Sequence, residues 1–161
     1  MSKQPQGSVS IKVRATTTGR PEPPSTLVWI DDYKPALNLY KMLFELRGFN
    51  VLTASTGDEG LRLVAANHVD AVVTDYEMPG MDGEAVATSV KHIHPKLPVI
   101  LFSGSSCIPA RVETVVDAIC DKTGAREELL AVIHRLVGKE LDQPFVPPQS
   151  GLHPATSSLS V

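Results

Sequence analysis

A chain of 161 residues has room for one domain with a substantial core and is too short for two ordinary domains. Hydrophobic residues make up 42% and charged residues 20%, and no apolar run approaches the roughly 18 residues of a membrane span, so we expect a soluble protein that does not enter a membrane. Residues 26–138 carry ten basic and fifteen acidic side chains, and this acidic balance argues against nucleic-acid binding by the central part of the chain.

The two ends of the chain differ from its centre. Eight of the 13 prolines fall in residues 1–25 and 139–161, and these segments hold little apolar surface to offset the entropy of ordering. We therefore expect a disordered N-terminal tail over 1–25, a domain over 26–138 and a disordered Pro/Ser-rich tail over 139–161, with at most a weak strand at 8–13. The N-terminus lacks the apolar stretch of a secretory signal and the chain has only two cysteines, which favours a cytoplasmic location.

The central part of the chain opens with two strand and helix units. Residues 27–30 form an apolar run that predicts the first strand. The helix after it starts near Pro35 and ends at Gly48. Its periodicity places four residues on the buried side: Ala36, Leu39, Leu43 and Leu46. Residues 50–54 predict the second strand, and Ser55 or Thr56 caps the helix that follows.

Three further strands follow, again alternating with helices. β-branched residues at 71–74 predict the third strand, which ends at Asp75. The remaining elements, in chain order, are a helix over 84–94, a strand at 98–102, a short helix over 111–116, a strand at 118–120 and a helix over 127–137. The helix over 84–94 carries Val86, Val90 and Ile93 on its buried side.

Five such units with nearly continuous apolar strands predict an α/β fold in which helices cover both faces of a parallel sheet. Right-handed crossovers favour a doubly wound, five-stranded sheet in the order 2-1-3-4-5. In that order the first and third strands are neighbours, so their C-terminal ends bring together Asp31, Asp32 and Asp75. Ser103 and Lys122 follow the fourth and fifth strands at the same edge of the sheet.

Three carboxylates at one edge of a sheet repel one another unless a cation lies among them. Oxygen-only ligands suit Mg²⁺, which keeps part of its shell for phosphate oxygens. One carboxylate can then act as a nucleophile toward a phosphoryl group and form an acyl phosphate. The ammonium of Lys122 would supply positive charge for the transferring oxygens, and the hydroxyl of Ser103 would supply a hydrogen bond.

Residues 26–138 resemble a receiver domain of the response regulators of two-component signalling, of the chemotaxis-regulator type with a flavodoxin-like fold. The resemblance rests on the acid pair Asp31-Asp32, the motif Asp-Tyr-Glu-Met-Pro-Gly-Met-Asp-Gly at 75–83, and the residues Ser103 and Lys122. It implies that Asp75 accepts a phosphoryl group from the phosphohistidine of a sensor histidine kinase or a histidine phosphotransfer protein.

The resemblance also implies a metal site and a signalling role. Asp32, Asp75 and the backbone carbonyl of Glu77 would bind Mg²⁺ directly, and Asp31 would bind it through water. The protein would catalyse its own phosphorylation and dephosphorylation without being a conventional enzyme. It would act as a monomer or weak homodimer on a downstream protein that the sequence does not identify.

The resemblance assigns roles to two further residues, in a region where the sequence departs from the family. Lys122 would contact a phosphoryl oxygen, and Ser103 would swing to bond the phosphoryl group and pull the following loop with it. Thr123 stands where the family usually has proline, and Ile119 stands where it usually has a switch aromatic. The 19 positions from Ser103 to Lys122 are about one helical turn fewer than expected. We therefore expect an altered fourth helix and altered gating by the residue at the switch-aromatic position.

Two other interpretations stay open at this point. A pseudo-receiver with the same fold would act as a protein-binding module without phosphorylation. The stretch Asp121-Lys122-Thr123-Gly124 also resembles the phosphorylated-aspartate signature of haloacid-dehalogenase-type ion pumps, in which Asp121 would be the nucleophile of an enzyme fragment. In the receiver interpretation, the 23 residues after Gly138 are too few for an output domain, so we expect a receiver without one.

Overall fold

The computed structural model of the protein describes residues 23–138. Within that range it contains five strands and four α-helices: β1 (Thr26–Ile30), α1 (Lys34–Glu45), β2 (Asn50–Ala54), α2 (Gly57–Ala66), β3 (Ala71–Thr74), α3 (Gly83–Ile93), β4 (Val99–Ser103), β5 (Ala118–Asp121) and α4 (Arg126–Leu136). A 3₁₀ helix, Ala110–Thr114, lies between β4 and β5. The predicted tails, apart from residues 23–25, and the predicted strand at 8–13 lie outside the described residues.

The sheet has the predicted topology. Its five strands are all parallel and lie in the order β2-β1-β3-β4-β5, which confirms the doubly wound α/β fold. Ile30 at the end of β1 pairs with Thr74 at the end of β3, and the backbone N–H of Asp75 donates to the carbonyl of Ile30 at 2.9 Å. The two strands therefore end side by side, and the residues that directly follow them lie at the same edge of the sheet.

The core consists of two layers, one on each face of the sheet. Alternate residues of β1 point to opposite sides, so Trp29 enters the layer under α1 and α4, while Val28 and Ile30 enter the layer under α2 and α3. All three side chains are essentially inaccessible to solvent. Burial on both faces explains why the strands read as continuous apolar runs rather than alternating ones.

The buried side of α1 differs from the predicted one. Leu39 and Leu46, which we expected to face the core, are 42% and 78% exposed, whereas Leu37 and Phe44 are buried. Apolar residues at helical spacing lie on two adjacent sides of α1. The packing of aromatic rings determines which of the two sides is buried. Tyr40 stacks on Trp29 with centroids 4.7 Å apart, and Phe44 lies 5.1 Å from the same ring. Aromatic rings bury the larger area, so their side of the helix turns inward.

The starts of α2 and α3 are fixed by side-chain caps. Thr56, one of the two predicted caps, accepts a hydrogen bond from the N–H of Glu59 at 3.2 Å, and Glu59 in turn accepts from the N–H of Ser55 at 2.7 Å. The pair differs from a capping box in that Glu59 accepts from the residue before the cap rather than from Thr56 itself. At α3, the carboxylate of Asp82 accepts from the N–H of Ala85 at 2.8 Å. Ile93, predicted to be buried at the other end of α3, is instead 54% exposed because it is the last residue of the helix.

The connection between β4 and β5 also departs from the prediction. We expected a helix over 111–116, and the structure has the five-residue 3₁₀ helix Ala110–Thr114 in its place. Pro109 precedes it, and Val112 is its fully buried residue. Only residues 104–117 join the two strands, so the chain has little length for an α-helix between two loops. The sequence correctly indicates a shortened element here, but not its type.

Within residues 23–138, none of the helices combines the length and the apolar character that a membrane span requires.

We predict that Gly83→Ala destabilises the protein by about 1–3 kcal/mol, because α3 approaches the strand end too closely for a side chain. A Cβ at Gly83 would fall on the carbonyl oxygen of Asp75 and lie 2.7 Å from the side chain of Leu101. Urea denaturation measures the change. The matched control is Gly104→Ala, since a Cβ at Gly104 meets nothing within 4 Å. Equal stability of the two variants would contradict close packing at Gly83.

Candidate functional site

Three acidic residues meet at the C-terminal edge of the sheet. Asp31 and Asp32 directly follow β1, and Asp75 directly follows β3. Each offers a carboxylate oxygen, and these oxygens all lie within 4.8 Å of one another. Asp31 is buried, Asp75 is partly buried and Asp32 is exposed. The structure therefore brings together the three acids that the strand order predicts to meet.

Lys122 reaches this cluster from β5. Its ammonium Nζ lies 2.7 Å from Oδ2 of Asp31 and 3.3 Å from Oδ1 of Asp75. The backbone of the lysine is held by its own N–H, which donates to the carbonyl of Ser103 at 3.0 Å. The predicted lysine thus lies between two of the predicted acids, although β5 is two strands away from β3 in the sheet.

Backbone N–H groups fix the two inner carboxylates. The N–H of Tyr33 donates to Oδ1 of Asp31 at 2.9 Å, and the N–H of Tyr76 donates to Oδ1 of Asp75 at 2.8 Å. These donors could not be predicted from the sequence, because every residue but proline carries a backbone N–H. Together with the lysine, they engage both oxygens of Asp31. Among residues 23–138, no group hydrogen-bonds Oδ2 of Asp75 or either oxygen of Asp32.

The surroundings shift the proton affinities of the central pair. Burial raises the pKa of Asp75, and the positive charge of Lys122 only partly opposes this shift, while Asp31 adds to it. For Lys122 burial lowers the pKa, but the hydrogen bond and charge of Asp31, with the charge of Asp75, outweigh burial and raise it. The lysine therefore stays charged, and Asp75 is a more basic carboxylate than an exposed aspartate.

The remaining predicted site residues lie at the margin of the cluster. Ser103 is buried at the end of β4, and its hydroxyl accepts a hydrogen bond from the N–H of Ser105 at 3.1 Å. In this conformation the hydroxyl binds its own loop rather than the acids. Glu77 is exposed and lines an open depression together with Asp32 and Tyr76. Glu77 therefore lies beside the exposed acid of the cluster.

Asp121, the alternative nucleophile, is turned away from this cluster. Its Oδ1 accepts from both the N–H and the hydroxyl of Thr123, each at 2.7 Å. These hydrogen bonds lower the pKa of Asp121. Its negative charge is therefore satisfied within its own turn.

The chemistry available at this edge of the sheet follows from its donors. The cluster offers carboxylate oxygens, which are ligands that a hard divalent cation such as Mg²⁺ prefers. It also holds a basic carboxylate with one oxygen that no described group occupies, next to a fixed ammonium. A nucleophile beside fixed positive charge is suited to attack on a phosphoryl group.

Known sequences resemble the part of the chain that builds this site. The chain is 34% identical over 89 residues to the transcriptional regulatory protein GlrR of Escherichia coli K12, which covers 55% of this chain and 20% of GlrR. It is 34% identical over 117 residues to the transcriptional regulatory protein PrrA of Mycobacterium tuberculosis, covering 71% of this chain and 50% of PrrA. The chain thus spans between a fifth and a half of the length of these relatives.

Solved structures show the same fold. A response regulator receiver domain from Clostridium thermocellum superposes with a TM-score of 0.67 at 28% identity, covering 71% of this chain and 94% of that one. The response regulator TrrA from Thermotoga maritima, solved in complex with Mg(2+)-BeF, gives a TM-score of 0.67 at 25% identity, covering 70% and 98% of the two chains. The model of the response regulator receiver domain family matches residues 27–134. The chain therefore belongs to the response regulator receiver family of two-component signalling.

Proposed function

We propose that this receiver domain is a phosphoacceptor and that Asp75 takes the phosphoryl group from a phosphohistidine of a sensor histidine kinase or a histidine phosphotransfer protein. The observation that carries the proposal is the environment of Asp75: its Oδ1 is held by Tyr76 and Lys122, while no described group occupies Oδ2. The bond from Oδ2 to phosphorus would form as the bond from the histidine nitrogen to phosphorus breaks. The histidine then leaves as a neutral imidazole once it is protonated.

The donor set supports a Mg²⁺ ion as the cofactor. We assign its direct ligands to Asp32, Asp75 and the backbone carbonyl of Glu77, and an indirect role through water to Asp31. The indirect role fits the structure, since both oxygens of Asp31 are already engaged by Tyr33 and Lys122. When bound, the ion supplies positive charge that offsets the charge on the transferring phosphoryl oxygens. The likeness to TrrA, whose structure contains Mg(2+)-BeF, supports this assignment.

Lys122 and Ser103 complete the proposed machinery. The ammonium of Lys122 already touches Asp75, so it is placed to bind an oxygen of a phosphoryl group added there. The hydroxyl of Ser103 would have to leave the N–H of Ser105 before it could donate to that group. Phosphorylation would thus compete with a hydrogen bond inside the loop that follows β4, and this competition is the proposed switch.

The pseudo-receiver is the second candidate function. Thr123 after the lysine and Ile119 in place of the switch aromatic favour it, since both departures lie within three positions of Lys122. The third interpretation, a haloacid-dehalogenase-type fragment, is wrong, because the chain belongs to the receiver family and Asp121 lies outside the acid cluster. The cytoplasmic location and the bounds 26–138 stay predictions.

The test is to incubate the full chain with Mg²⁺ and acetyl phosphate and to locate hydroxylamine-sensitive phosphate by mass spectrometry. We expect the phosphate on Asp75. Mg²⁺ binding is measured separately, by the fluorescence of Trp29 and by calorimetry. Absence of phosphate together with absence of Mg²⁺ binding would establish the pseudo-receiver instead. Phosphate on Asp121 alone would overturn both functions.

A further inference from the structure

The connection between β4 and β5 is held mainly at its two ends. At one end, the N–H of Ser105 donates to the hydroxyl of Ser103. At the other, the 3₁₀ helix Ala110–Thr114 packs through Val112, which is fully buried. Between them, the N–H groups of residues 106–108 make no hydrogen bond to any described residue. A segment with so few internal contacts opens more easily than the sheet it joins, so its end contacts decide its position.

An ion pair fixes the far end of this connection. Arg111 donates to Glu84 through two parallel bonds, Nε to Oε1 at 2.8 Å and a terminal guanidinium nitrogen to Oε2 at 3.0 Å. The two residues are 27 positions apart in the chain. Such a two-pronged arginine and carboxylate pair is the best oriented kind of surface ion pair. A five-residue 3₁₀ helix has poor internal hydrogen bonds, so it depends on contacts of this type.

The partner of Arg111 belongs to the element that follows the phosphoacceptor. Glu84 lies in the first turn of α3, directly after Gly83. The N–H of Gly83 donates to the carbonyl of Tyr76 at 2.9 Å, which ties the start of α3 to the backbone next to Asp75. The Arg111–Glu84 pair therefore joins the end of the serine-bearing loop to the structure that carries Asp75.

We propose that the Arg111–Glu84 pair is a latch that stabilises the resting position of the loop after β4 and so opposes activation. This inference rests on the proposed phosphoacceptor function. In this proposal, the loop rearranges when the Ser103 hydroxyl leaves the N–H of Ser105 for a phosphoryl group on Asp75, and the 3₁₀ helix at the end of the loop moves with it. A contact that exists in only one of two states shifts the balance toward that state by its own free energy. Breaking the latch then favours the conformation in which the Ser103 hydroxyl reaches a phosphoryl group on Asp75.

The test compares Arg111→Gln, Glu84→Gln and the double variant of the full chain. The probe is beryllium fluoride, which mimics a phosphoryl group, added at saturating Mg²⁺, with its apparent Kd followed by calorimetry. We expect each single variant to bind about two- to fivefold more tightly than the natural chain, which is the range of one surface ion pair. The double variant should match the single ones, because either change alone removes the whole contact.

The two single variants separate the latch from simple electrostatics. Arg111→Gln removes a positive charge and Glu84→Gln removes a negative one, so a charge effect on anion binding would move them in opposite directions, whereas a latch moves them in the same direction. The matched control is Glu113→Gln, an exposed acid of the same 3₁₀ helix, which should bind like the natural chain. Opposite shifts, or no shift, would overturn the latch alone. Failure of the natural chain to bind the probe with Mg²⁺ would overturn the proposed function and the latch with it.

Discussion

Asp75→Asn is expected to remove all phosphate that the natural chain accepts from acetyl phosphate in the presence of Mg²⁺. The amide keeps the shape of the side chain, and its oxygen can still accept the N–H of Tyr76. It lacks the negative oxygen that attacks phosphorus, so no acyl phosphate can form. Mass spectrometry of the intact protein measures the loss as the disappearance of the added phosphate mass.

The matched control is Asp121→Asn, at the same edge of the sheet. Among residues 23–138, the carboxylate of Asp121 accepts hydrogen bonds from Thr123 alone, so the change removes a carboxylate without touching the acid cluster. It should be phosphorylated like the natural chain. Circular dichroism of both variants checks that the fold is retained. Persistence of hydroxylamine-sensitive phosphate in Asp75→Asn would show that another carboxylate is the acceptor, and the proposed function would fail.

Much of the site could be predicted because it is tied to strand ends. The β-branched run before Asp75 and the apolar run before Asp31 identify two strands, and the alternation with helices leaves few topologies. Once the two strands are neighbours, the acids must meet. Lys122 follows a third strand by the same logic. Positions that depend only on where a strand stops can be derived from the sequence.

Other features depend on tertiary contacts and leave no local signal. Apolar residues lie on both sides of α1, and ring contacts with other elements, those with Trp29 among them, select Tyr40 and Phe44 over Leu39 and Leu46. The hydrogen bond from Ser105 that occupies the Ser103 hydroxyl depends on the shape of the loop. The Arg111–Glu84 pair joins residues from different elements, which no periodicity connects. Such contacts follow from packing that the sequence does not encode locally.

These two kinds of feature correspond to two parts of the proposed mechanism. Asp31 and Asp75 are fixed by strand ends and backbone donors, and Lys122 is fixed by its contacts with them, which holds these groups in place with little reorganisation. The hydroxyl of Ser103 and the loop after β4 make few contacts, of which the hydrogen bond from Ser105 is one. A rigid reaction site beside a loosely held loop is the arrangement that a phosphorylation switch requires, since the chemistry needs precision and the signal needs movement.

Lys122→Met is expected to slow phosphorylation of Asp75 by about a hundredfold, the usual effect of removing one fixed charge from such a site. Methionine keeps the length and apolar stem of the lysine but withdraws the ammonium from Asp31 and Asp75. The carboxylates then lie close together without a protein cation, and no protein charge stabilises the phosphoryl oxygens in the transition state. The rate of phosphate incorporation from acetyl phosphate at fixed Mg²⁺ measures the effect.

A second readout separates a direct role of the lysine from a general loss of structure. The charge and hydrogen bond of Lys122 lower the pKa of Asp75, so their removal should raise that pKa further above its ordinary value. Carbon-13 NMR of the aspartate carboxyl groups without added metal should show the midpoint of Asp75 moving to higher pH. A folded chain with an unshifted midpoint would mean that the ammonium does not act on this carboxylate.

Two further variants test whether the positive charge of Lys122 itself is responsible for the effect. Lys122→Arg keeps a cation but changes its shape, so we expect a rate between those of the natural chain and Lys122→Met. Lys96→Met removes an exposed lysine from the loop between α3 and β4, at the opposite edge of the sheet, and should leave the rate unchanged. If Lys122→Met incorporates phosphate at the natural rate, the ammonium beside Asp75 has no part in the transfer, and the positive charge at the site must come from the metal alone.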